Sequence, residues 1–151
     1  MSWTLRALIH SERMARLAGP LGEFFRYDTS LPPRLAELAI LVTARYWTAQ
    51  NEWHTHKGVA LKVGLDPAVI DAIEKRGSPH FANADEETIY LFAKTLHETK
   101  SVPADLYARA QKLLGDQQLV ELVGLLGYYT LVAMTLNAFD FGVPAGKAPL
   151  V

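Results

Sequence analysis

Three side chains in this sequence have the types and spacing for proton-transfer chemistry: Glu37, Glu52 and His56. Glu37 interrupts Leu35 to Ala44 (LAELAILVTA), a run apolar almost all the way round a helix, the mark of a segment buried on every side. A carboxylate there must be paired, hydrogen-bonded or protonated, since leaving it bare costs several kcal/mol on any reference scale. Glu52 and His56 are four apart and share one face of the next helix. Nineteen positions separate Glu37 from His56, with a turn between, so a hydrogen bond between them is feasible. Such a bond would fix the imidazole tautomer and raise its basicity, as an orienting carboxylate does in a catalytic triad.

Each residue also has a plainer reading. Glu37 suits a buried structural ion pair, with Arg34 or an arginine from elsewhere. Glu52 and His56 suit an exposed i,i+4 pair worth a few tenths of a kcal/mol. Trp53, with Val59, Ala60 and Val63, shows only that the helix has a buried side. His54 lies about 200° round the helix from Glu52 and cannot share that face. A metal held by Glu52, His56 and Glu37 is a weaker alternative, because the set lacks a clear zinc pattern. Arg34, Arg45 and Lys57 are cations that could meet an anionic substrate, although solvated surface charge explains each of them. His10, His80 and His97 have no recognisable partners. No phosphate loop, G-x-S-x-G elbow or H-E-x-x-H is present.

The elements that must position the three residues are two consecutive helices across Leu31 to Gly64, with a break near Trp47 to Asn51. Pro32 and Pro33 suit a first helical turn. Gly64 closes the second helix, and Asp66-Pro67 opens another that runs to Arg76. Gly77-Ser78-Pro79 breaks the chain, and Asp85 is the expected cap of a helix from Glu86 to Lys100. Ser101 to Pro103 starts a helix that stops at Gly115. Asp116 then caps the last long helix, Gln117 to Phe139. Ahead of this, Trp3 to Ala18 is helix-like, capped by Ser2 or Thr4, with Trp3, Ala7, Met14, Leu17 and Ala18 free to pack. Gly19-Pro20 is expected to stop it, and Leu21 to Tyr27 to form a turn presenting Phe24 and Phe25. No strand alternation or hairpin dipeptide appears, so the class is all-α, one domain of about six to eight helices. The last helix is apolar all round as well. A chain of 151 residues can surround one such helix, and two predict a homo-oligomer, with Gly124 and Gly127 allowing a second subunit to approach.

Pro-Pro-Arg34, then Glu37 in its apolar helix, then Glu52-Trp53-x-x-His56 resemble the carboxymuconolactone decarboxylase family, which shares the alkylhydroperoxidase D fold. The likeness spans roughly Leu31 to Pro144 and includes the nineteen-residue interval. It divides the chain into a helical extension, residues 1–30, packed on a family-like domain, residues 31–151. The alkylhydroperoxidase branch carries a C-x-x-C pair whose positions here are Ala49 and Glu52, and the chain has no cysteine. Cysteine-dependent peroxidase chemistry is therefore excluded. The resemblance implies a cofactor-independent decarboxylase of a small carboxylated lactone, with Glu37, Glu52 and His56 catalytic and a trimeric or hexameric assembly. Arg34, Trp53 and Asn137 are the candidate substrate contacts, Asn137 because this region closes over the pocket in the family. An isomerase or hydrolase of another oxo-acid or lactone on the same site, or a non-catalytic oligomeric binding protein, are the alternatives.

Composition narrows the rest. Half the residues are apolar and 21% charged, with a net charge of −1. That is the balance of an ordinary soluble domain, without the basic clustering of a nucleic-acid surface. The absence of disulfides fits the cytoplasm. The N-terminus lacks a signal-type apolar core, and the apolar stretch Leu122 to Leu136 is expected to fall short of a membrane span. The expected partner is a small anionic organic substrate, with no cofactor, nucleic acid or membrane.

Overall fold

The computed structural model describes residues 3–151, with side chains from residue 6 onward. Among the described residues there are seven α-helices and no strand: α1 (Trp3–Leu8), α2 (Glu12–Glu23), α3 (Pro33–Trp47), α4 (Gln50–Lys62), α5 (Pro67–Glu74), α6 (Ala84–Thr99) and α7 (Ala104–Ala138). A π-helical segment, Phe24–Asp28, continues α2. The all-α expectation holds.

The axis of the fold is α3. Every residue from Leu35 to Arg45 is buried, because α4, α5, α6 and α7 all pack around it. A helix without a polar face has no other stable place in water. Pro32 is its N-cap and Pro33 its first residue, where missing amides cost nothing. It ends at Thr48, which takes the left-handed conformation (φ 50°) and turns the chain into α4. Farther on, Gly64 (φ 88°) closes α4 and the Asp66 carboxylate accepts the Ala68 N–H at 2.8 Å. The last helix is broken at Gly115 (φ 70°, ψ 176°), as its sequence predicts.

Several expectations fail for local reasons. The N-terminal helix breaks between Leu8 and Glu12, and α2 then passes straight through Gly19-Pro20. Pro20 deprives the Arg16 carbonyl of its partner, but both residues are exposed. Water can therefore take the bond, and the usual cost of an interior proline is softened. Ala18 is buried, whereas Met14 and Leu17 stay exposed, Leu17 at 70%. Trp3 and the caps Ser2 and Thr4 lie outside the described side chains. Helix α6 starts two residues early, with Asn83 at its N-cap, and Asp85 instead bonds Arg34 at 2.8 Å. The Asp116 carboxylate accepts from Gln111 Nε2 at 2.9 Å and caps nothing. Leu122 to Leu136 is part of a 35-residue helix, and that helix is long and apolar enough to cross a membrane by length and composition. Its inward residues, Leu122, Leu125, Leu126 and Ala133, are buried in the bundle.

Residues 24–31 belong to the same core as the rest, since Phe25 and Leu31 join its cluster. Gly124 makes this possible: a Cβ there would lie 2.8 Å from Phe25 Cζ. The glycine expected to admit a second subunit is filled by the chain's own phenylalanine. Gly127, three residues on, has nothing within 4 Å. Around it Val120, Val123 and Met134 remain exposed. The two glycines therefore predict opposite signs. Gly124→Ala must displace a buried ring and should destabilise by about 1–3 kcal/mol, visible as a lowered urea midpoint. Gly127→Ala should stabilise an isolated subunit by about 1 kcal/mol through helix propensity. A loss at Gly127 would instead mean that another molecule packs there.

Candidate active site

The turn at Thr48 and Ala49 folds α4 back along α3, and this brings Glu37 and His56 together. His56 Nδ1 lies 2.8 Å from Glu37 Oε2, with both side chains buried. The hydrogen bond foreseen from the nineteen-residue interval is present. It answers the buried carboxylate's need for a partner and sets the ring so that Nε2, free of any protein partner, is the nitrogen left to meet a reactant.

Glu52 lies one helical turn before His56. It is only 3% exposed, and neither carboxylate oxygen has a hydrogen-bond partner. Burial pushes its pKa well above the ordinary carboxylate range. Two carboxylates in adjoining helices are thus held in opposite conditions: Glu37 bonded to an imidazole, Glu52 buried without a partner. Against His56 stands a residue that the sequence did not assign to the chemistry. Tyr129 of α7 sets its ring edge-on to His56, at a centroid separation of 5.0 Å and an interplanar angle of 89°. Burial, then the Glu37 and Glu52 carboxylates, push its phenol above the usual tyrosine range. Tyr129 is therefore a neutral wall common to both acids. The sequence signals for it are its place in an apolar helix and in the region that the family resemblance closes over the pocket.

The other anticipated residues go elsewhere. Arg34 is tied to Asp85 and Glu86 at the start of α6, so its charge is spent between α3 and α6. Trp53 is fully buried in the core, and its indole N–H has no partner. Asn137 is exposed and donates to the Trp47 carbonyl at 2.7 Å, capping the end of α3. Lys57 pairs with Glu74. His54, off the Glu52–His56 face as its spacing requires, bonds the Ala148 carbonyl at 2.9 Å.

A further constraint comes from the chain beyond α7. Asn51 Nδ2 donates to the Phe141 and Gly142 carbonyls, and Gln50 exchanges two hydrogen bonds with Leu150 at 2.7 and 2.9 Å. Residues 141–150 thereby strap the start of α4, the turn that carries Glu52. Among the described residues no three His, Asp or Glu side chains are grouped to hold a metal ion.

The fold and site define an all-helical domain with a buried glutamate–histidine pair and a second, isolated glutamic acid. Searches of protein-family models, curated proteins and solved structures return no match.

Glu52 makes a pH-dependent contribution to stability whose sign follows from its environment. A carboxyl whose pKa is raised on folding binds more protons in the native than in the unfolded state. Stability from this group is therefore full below about pH 4.5 and declines as pH rises toward the folded pKa. Glu52→Gln removes the titration. The thermal midpoint of the wild type should fall relative to the variant between pH 5 and pH 8; parallel curves would mean that Glu52 is solvated or partnered.

Proposed function

We propose that the chain is a cofactor-independent acid–base enzyme of the carboxymuconolactone decarboxylase type, acting on a small carboxylated lactone. The observation that carries this reading is the pairing of His56 with Glu37 one helical turn from a buried, unpartnered Glu52. That arrangement supplies an oriented imidazole and a neutral carboxylic acid in one dry site. In the reaction, the bond between the ring carbon and its carboxylate breaks and carbon dioxide leaves. The electron pair spreads into the unsaturated lactone, and a proton then returns to a ring carbon. Glu52, kept protonated by burial, is suited to donate it. His56 Nε2, with its Nδ1–H given to Glu37, is suited to take up a proton from water and restore it to Glu52, Glu37 positioning the ring. A water-poor pocket strengthens each of these contacts.

An isomerase or hydrolase acting on an uncharged lactone at the same site is the second reading. Arg34 favours it: bound by Asp85 and Glu86, it does not offer its charge to a substrate carboxylate. In either case we take the working form as a cytoplasmic homo-oligomer, a trimer or hexamer. The apolar residues exposed on α2 and α7, Leu17, Val120 and Met134 among them, are the surface such an assembly would cover.

Ultraviolet-monitored consumption of 4-carboxymuconolactone, coupled to carbon dioxide release, tests the first reading. His56→Ala and Glu52→Gln should each lower kcat by about 10²–10⁴-fold. Glu37→Gln should lower kcat with little change in KM and shift the pH profile, as expected of a positioning residue. Full turnover by a folded His56→Ala variant would refute the mechanism. Inertness of the wild type toward this lactone, with proton exchange or ring opening on an uncharged one, would transfer the site to the second reading.

A further inference from the structure

A cavity of about 230 Å³ opens between α3, the end of α5 and α6, and its lining residues do not include Glu37, Glu52 or His56. Its walls carry Arg45, Arg76, Lys94, Tyr46 and Tyr90, with His97 among the buried residues that line it. Glu98 is the one carboxylate in the lining, and it lies 3.9 Å from Lys94.

The two arginines are unusual in their partners. Arg45 is buried, and its hydrogen bonds go to the Glu74 carbonyl at 2.8 Å, the Thr48 hydroxyl at 3.3 Å and the Val151 main-chain oxygen. The same Thr48 hydroxyl accepts from Arg76 Nη2 at 3.0 Å. Two guanidinium groups are thus drawn to one neutral oxygen, and among the described residues no side-chain carboxylate is in ion-pair contact with either. Burial and the Arg76 charge lower Arg45's hold on its proton, and the nearby Glu74 carboxylate only partly opposes them. Three of Arg45's five N–H donors are used, which leaves one on each terminal nitrogen. Both Thr48 and Arg76 sit in the left-handed backbone region (φ 50° and 56°), a cost that the fold bears to set the pair in place.

The aromatic and neutral walls add shape. Tyr46 stacks on His97 at 5.0 Å with 15° between the planes. His97 bonds the Thr43 hydroxyl at 2.9 Å, and burial and Lys100 push its pKa down to about 4, so it adds no charge at neutral pH. The surplus of positive charge therefore belongs to Arg45 and Arg76, since Lys94 is paired with Glu98.

We propose that this cavity binds a small organic dianion, a carboxylate or phosphate group held by the Arg45–Arg76 pair with an apolar or planar body against Tyr46 and Tyr90. Arginine pairs recognise such groups through charge-assisted, bidentate hydrogen bonds. The volume is below the roughly 300–1,000 Å³ of sites for drug-sized ligands, which limits the occupant to a metabolite-sized molecule. This site is separate from the glutamate–histidine pair, and its occupancy does not depend on that pair's chemistry.

Isothermal titration calorimetry on the full chain, at low ionic strength and pH 7, tests it with inorganic phosphate and with phthalate as probes. At least one should bind with Kd below about 1 mM, Arg76→Gln should weaken it at least about tenfold, and Lys112→Gln, outside the cavity, by less than about twofold. Arg76 is exposed, so its replacement should spare the fold, and an unchanged circular dichroism melt checks this. Phosphate alone binding points to a phosphoryl compound; phthalate alone points to a carboxylate with a planar body. Failure of both anions to bind below about 1 mM, or equal weakening by the two variants, would overturn the proposal.

Discussion

The structure depends on how a carboxylate is accommodated inside a helix that has no polar face. Placing Glu37 in α3 is costly unless a partner reaches it in the core, and that partner must come from an element packed directly alongside. His56 is that partner. The requirement fixes more than one contact, because α4 must leave α3 through a short turn and return at a single register. Thr48 in the left-handed region, the Asn137 cap on the Trp47 carbonyl and the strap of residues 141–150 on Gln50 and Asn51 all serve that register. A shift of α4 by one residue would rotate His56 by about 100° and leave the carboxylate bare.

Glu52 is the opposite case. The same helix that satisfies Glu37 buries a second carboxylate and gives it nothing. A buried acid without a partner is a loss that the fold could remove with almost any apolar residue. A protonated carboxyl costs less than an ionised one, so the site selects the neutral form and holds a proton where solvent does not. That is the condition the proposed donor role needs.

Much of this was legible in the sequence because it rests on short-range patterns. The unbroken apolar run announced that α3 would be surrounded, Gly64 and Asp66-Pro67 marked real helix ends, and Gly115 marked a real break. The nineteen-residue interval was enough to anticipate the Glu37–His56 contact. What the sequence hid depends on partners far along the chain or on exposure. Arg34 looked free for substrate because Asp85 and Glu86 are some fifty residues away. Gly124 looked like an intersubunit contact because nothing local tells of Phe25. Gly19-Pro20 looked like a stop because a proline's cost depends on whether the carbonyl it orphans faces water. His97 looked idle because Thr43 and Tyr46 meet it only when α6 packs on α3.

The two faces of α3 also explain how one helix can serve two separate polar sites. Its first half carries Glu37 toward α4 and α7, and its last turns carry Thr43, Arg45 and Tyr46 toward α5 and α6. Between them lie Leu38, Ile40 and Leu41, all essentially without exposure, so the anionic site and the cationic cavity are insulated by packed apolar side chains. In a low-dielectric interior, opposite charges left unshielded would draw toward each other and distort the helix that bears them. Here each is met locally instead: Glu37 by an imidazole, Arg45 by main-chain and hydroxyl oxygens. The difference lies in what those partners leave over. Histidine can share charge with Glu37 by taking a proton, whereas the Glu74 carbonyl and the Thr48 hydroxyl solvate Arg45's charge without cancelling it. The residual positive potential therefore remains at the cavity, and the capacity for proton transfer remains at the other end of the helix.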